Sequence, residues 1–92
     1  MADIHVVRPH ALGREEARRR VDQVIGGLQH KYPLTTAWLD EDHLSLKAAG
    51  VDGEVAVTDD AIEVTIALGF MASMFKDTIE GAIESAFGRG FA

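Results

Sequence analysis

Ninety-two residues, no cysteine and a formal net charge of −6 exclude several kinds of protein at once. A chain this long supports one core, since domains run from about 50 to 200 residues, and without thiols it has no disulfides, sulfur nucleophiles or sulfur ligands. An apolar share of 47% with 26% charged residues describes a folded chain, and its acidity opposes binding to a phosphate backbone.

Ile4-His5-Val6-Val7-Arg8 predicts a short first strand, which Pro9 ends or confines to a sheet edge because proline lacks the ladder N–H. Ala17, Val21, Val24, Ile25, Leu28 and Tyr32 then recur at three- and four-residue steps, the signature of a helix with one apolar stripe. Glu15–Arg19 and Glu16–Arg20 are i,i+4 pairs in the favourable order. Gly26-Gly27 weakens the later turns and Pro33 opposes continuation. From Thr35 the period changes to two. Thr36–Leu39 and His43–Ala48 flank the turn Asp40-Glu41-Asp42, Gly50 marks the next connection, Val51–Val57 alternate, and Asp59-Asp60 turns the chain into Ile62–Phe70. Connections this short imply hairpins and an antiparallel meander. A second helix follows, with Met71, Met74, Phe75, Ile79, Ala82, Ile83, Ala86 and Phe87 on one face and Gly88-Arg89-Gly90 as its stop. The order is β-α-β-β-β-β-α, an α+β fold of two layers with both helices on one face of the sheet. No linker or repeat divides residues 1–92, which read as one domain with 88–92 as a frayed tail.

No catalytic pattern emerges. His5, His10, His30 and His43 lack close metal-ligand spacing, and Asp40-Glu41-Asp42 and Asp59-Asp60 sit at hairpin tips, where aspartate serves turn chemistry. Ser45, Ser73 and Ser85 lie in no nucleophile elbow, and the glycines form no phosphate loop. The expectation is therefore a protein without enzymatic activity, cofactor or metal, acting through its surfaces. Arg8 and His10, just before the first helix, are candidates to hold an anion at its N-terminus. Arg14 and Arg18-Arg19-Arg20 form the one basic cluster, a contact for an anionic partner or for the acidic half of a second copy. Residues 1–35 hold six basic against four acidic side chains, and residues 36–92 three against eleven, so self-association would weaken with salt. Met71, Met74, Phe75 and Phe87, with Phe91 nearby, exceed what one narrow stripe needs and suggest an apolar docking patch. The small residues of the outer sheet face would allow close approach by another subunit. No apolar run reaches the roughly 20 residues of a membrane span. Met1–His5 has neither the basic nor the apolar region of a signal peptide, and the lack of cysteine fits a reducing cytoplasm.

Ile4-His5-Val6-Val7-Arg8-Pro9-His10-Ala11-Leu12-Gly13, leading into an Ala/Val/Arg-rich helix, resembles the start of the polyhydroxyalkanoic acid system proteins, small bacterial proteins linked with storage-polyester granules. Ile66–Lys76, followed by Ile79-Glu80 and Ile83-Glu84, resembles the second recurrent segment of that family. Gly26-Gly27 and the terminal Gly-Arg-Gly-Phe depart from it locally. The resemblance implies an accessory protein of polyhydroxyalkanoate storage, with the granule surface, granule proteins or a second copy as partner. It brings no catalytic role for Arg8, His10, Leu12 or Gly13, the positions that match its first motif. Two other readings make different predictions. A small-ligand or enzymatic domain requires a pocket between helices and sheet. A nucleic-acid-associated regulator working through the Arg14–Arg20 face requires tight binding that falls steeply with salt.

Overall fold

The structure, a computed structural model, describes residues 3–90, with side chains as far as Gly88. Strand β1 (Ile4–Pro9) is followed by helix α1 (Arg14–Lys31), strands β2 (Thr35–Trp38), β3 (His43–Ala48), β4 (Val51–Val57) and β5 (Ala61–Leu68), a short helix α2 (Phe70–Ser73) and helix α3 (Lys76–Gly90). The five strands form one antiparallel sheet in the order β1-β5-β4-β3-β2. The meander and the α+β class are those the alternation predicts. Strand β1 returns to the far edge beside β5, and its Pro9 lies on that edge.

Register explains the two faces. Val6 pairs with Val64, Val64 with Val55 and Val55 with Leu44, so the apolar residues form rows across the sheet. Helix α1 lays Ala17, Val21, Ile25 and Leu28 on that face, and α3 adds Ile83 and Phe87, producing one continuous core. Each buried side chain of this size contributes about 1.5–3 kcal/mol. Among the described residues no helix covers the opposite face. There His5 pairs with Glu63 at 2.7 Å, His43 approaches Glu54 at 3.9 Å and Lys47 approaches Asp52 at 3.8 Å.

Helix α1 ends where Pro33 requires. Tyr32 is already extended, and its N–H donates to the Leu28 carbonyl at 2.8 Å. Trp38 ties β2 to this helix, since its indole N–H donates to Asp22 Oδ1 at 2.8 Å and the Arg18 guanidinium lies 4.3 Å above its ring.

The last helical region departs from expectation in three ways. It is two helices, not one. Ser73 Oγ donates to the Phe70 carbonyl at 2.7 Å, and the Met74 and Phe75 N–H groups bond three residues back, to Met71 and Ala72, so the first turn tightens and stops. Phe70 is the first residue of α2 instead of the last residue of a strand. Finally, the tail expected to fray from residue 88 is still helical through Gly90, the last residue of α3. Phe87, wholly buried, anchors that last turn to the core, and glycine there lowers propensity without forbidding helix. The expected fraying at Phe91 and Ala92 lies outside the described residues.

Candidate functional site

The polar candidates divide by what holds them. Arg8 is on the inner face of β1, and a Cβ placed on Gly88 would lie 3.9 Å from its Nε and Nη2. It thus faces the last turns of α3, where a cation suits the helix dipole. His10 Nδ1 accepts the Leu12 N–H at 3.2 Å, so Nε2 is the protonated nitrogen that donates to the Thr58 carbonyl at 3.0 Å. The imidazole joins the β1–α1 loop to the β4–β5 turn, leaving Arg8 and His10 apart in role as well as in sequence. Arg14 reaches Asp42 and Asp59, each at 3.5 Å, and bridges the two acidic turns. Glu16 takes Arg19 at 3.0 Å and Arg20 at 3.5 Å. The basic cluster is therefore matched largely within the molecule.

At the β2–β3 turn, Asp40 accepts the Asp42 N–H at 2.7 Å and bonds His43 Nδ1 at 2.9 Å. That amide, and then the imidazole, hold the Asp40 carboxyl below its usual 3.8. His43 is raised above 6.5, first by its hydrogen bond to Asp40, with burial opposing and the charges of Asp40, Glu54 and Asp42 adding. Among the described residues no group of three or more His, Asp or Glu is arranged to hold a metal ion. A groove of about 590 Å³ runs along the outside of α1 and α3, lined by Arg20, Val24, Leu28, Lys31, Tyr32 and Ser85 among others, with no carboxylate or imidazole in its lining.

The opposite end of the sheet is different in kind. Gly50, at φ +73°, closes the β3–β4 hairpin in the left-handed region that favours glycine. A Cβ there would meet the Ala72 Cβ at 3.3 Å, so the missing side chain is what lets α2 lie against the hairpin. The Gly69 N–H donates to the Gly50 carbonyl at 2.7 Å and fixes that approach. Around this junction Phe70 is 86% exposed, Met71 69%, Met74 70% and Phe75 60%. A trough of about 720 Å³, lined by Ala49, Gly50, Val51, Gly69, Ala72 and Ile79 together with Phe70, Met71 and Phe75, opens between them. Its lining is almost wholly apolar. Phe70, Met71 and Phe75 border this trough and Met74, beside Phe75 in the chain, is exposed as well; large apolar side chains held in solvent in this way are of the kind that marks an interaction surface.

Of the four residues expected on an apolar patch, Met71, Met74 and Phe75 lie at this junction. Phe87 does not: it is 0% exposed and belongs to the core. The apolar repeat runs unbroken from Met71 to Phe87, whereas the chain turns at Met74-Phe75. The sequence places Gly50 at the β3–β4 connection, where it lies, but does not show its contact with Ala72, and it places Phe70 in a strand and not in the patch. The signal available for Phe70 was Gly69, an extended residue that caps the following turn.

No curated protein and no solved structure matches the chain at a significant level. Among described helices none is long and apolar enough to cross a membrane. The family model described as "Putative polyhydroxyalkanoic acid system protein" matches residues 4–89, which cover both recurrent segments and every strand and helix up to the last turn of α3. The chain belongs to the polyhydroxyalkanoic acid system protein family.

Proposed function

We propose that this protein is a non-enzymatic, cytoplasmic accessory of polyhydroxyalkanoate storage that docks on the granule surface through Phe70, Met71, Met74 and Phe75. The observation that carries this reading is the exposed apolar junction of α2 with the β3–β4 hairpin. Family membership supports a water-insoluble aliphatic polyester as its counterpart. Covering each large apolar side chain contributes at most about 1.5–3 kcal/mol, and association costs about 4 kcal/mol or more. Four side chains therefore suffice for reversible adsorption of single molecules, not for permanent anchoring. A non-catalytic role is supported by the histidines and carboxylates at the other end, which are engaged in turns and ion pairs. The internal partners of Arg14, Arg19 and Arg20 weigh against a nucleic-acid role.

The test is cosedimentation with polyhydroxyalkanoate particles, with hydrophilic silica as the control. Wild-type protein should partition to the polyester, and Phe70→Ser/Phe75→Ser should remain in solution with an unchanged melting temperature, because both side chains are exposed. Equal partitioning of the two proteins, or no preference for polyester over silica, would overturn the reading.

A further inference from the structure

The chain has three methionines and no cysteine. Met1 lies outside the described residues, and the other two, Met71 and Met74, both stand in the apolar patch, about seven-tenths exposed. In the absence of thiols, an exposed thioether is the side chain that a mild two-electron oxidant attacks first. Oxidation would act on the groups that the docking surface presents. We propose that Met71 and Met74 are oxidation sites through which hydroperoxides weaken docking, an inference that rests on the function proposed above.

The chemistry balances with a peroxide as the only co-reactant. The thioether sulfur attacks one peroxide oxygen, an S–O bond forms and the O–O bond breaks. The other oxygen leaves, takes up the peroxide proton and departs as water or alcohol. Sulfur loses two electrons and the peroxide gains them. The product is a sulfoxide, a polar group in place of an apolar one, and methionine sulfoxide reductases return it to the thioether. Phe70 and Phe75 are inert to this reaction and keep part of the patch, so docking is weakened in a graded way. Position adds to the effect: Met71 lies in the short helix α2 and Met74 caps its C-terminus, both outside the core, so oxidation leaves Phe87 and Ile83 packed.

The experiment compares untreated, peroxide-treated and reductase-restored protein on polyhydroxyalkanoate particles, with peptide mapping to place the added oxygens. The expected result is oxidation at both Met71 and Met74, roughly tenfold weaker adsorption, and recovery after reduction. Met71→Leu/Met74→Leu, a near volume-conserving change with no thioether left in the patch, should show the same adsorption before and after peroxide, whatever its starting level. Unchanged adsorption after both methionines are oxidised, or equal peroxide sensitivity of the leucine variant, would overturn the inference and leave the docking reading intact. Untreated protein that does not adsorb at all would remove both.

Discussion

The two ends of the sheet solve the same problem, how to turn the chain, in opposite ways. At one end the β1–α1 loop and the β2–β3 and β4–β5 turns interlock through polar groups. The His10 N–H donates to the Asp60 carbonyl at 2.9 Å, the Val57 N–H to the Asp42 carbonyl at 2.8 Å, and Arg14 spans Asp42 and Asp59. Thr58 Oγ1 both donates to the Ala61 carbonyl and accepts the Ala61 N–H. At the other end glycine and a short helix do the turning, with Gly50, Gly69 and Ala72 in close approach and the large apolar residues left outside. Polar groups that satisfy one another have little left for a partner. Apolar groups held in water gain only when something covers them. The first end is held by its own polar partners, and the second is where the docking proposed above would act.

The sharpest way to test this division lies within the C-terminal apolar repeat itself. Phe87 and Met74 belong to one sequence pattern but opposite environments. Phe87→Ala should cost about 3–5 kcal/mol, the usual price of an emptied aromatic core site. Met74→Ala should cost within about 0.5 kcal/mol, as exposed substitutions do. Urea unfolding of both variants measures this. Similar losses would mean that the apolar end is packed, and the division would fall.

The next effect belongs to the polar end. His10→Ala removes the acceptor of the Leu12 N–H and the donor to the Thr58 carbonyl, two bonds that join separate connections. A loss of about 1–3 kcal/mol is expected, with adsorption to polyester unchanged. A stable variant that no longer adsorbs would place function at the wrong end.

What could be read from the sequence follows from how local each signal is. Strand alternation, Pro9, Pro33 and the acidic turn residues act over a few residues, and they placed the meander and the first helix. Both recurrent segments, Ile4–Gly13 and Ile66–Lys76, identified the family for the same reason. The helix break at Met74-Phe75 was hidden because the apolar period continues through it, whereas its cause is a hydroxyl bond from Ser73 and the contact of Ala72 with a hairpin 22 residues earlier. Nor could the sequence show that His10 and Arg14 are engaged, since their partners Thr58, Asp42 and Asp59 are brought to them only by the sheet. Phe87 was misplaced for a related reason: periodicity assigns a face to a residue, and tertiary packing decides whether that face is covered.

The smallest effect concerns pH and separates turn chemistry from docking. His43 is raised, chiefly by its bond to Asp40, so its contribution to stability is full below its unfolded value of 6.5 and is lost as pH rises through the higher folded value. Asp40 is lowered, chiefly by the Asp42 N–H, so its contribution is full above 3.8 and is lost as pH falls through the lower folded value. The turn is therefore tightest between 3.8 and 6.5. Both groups are exposed, which keeps the effect small and sensitive to salt. The difference in melting temperature between wild type and His43→Ala should be widest inside that window and should shrink above it, while adsorption through the apolar end, which holds no titrating side chain in its trough, stays level across the same range. Adsorption that follows the His43 titration would show that the two ends are coupled, and that the polar end takes part in docking after all.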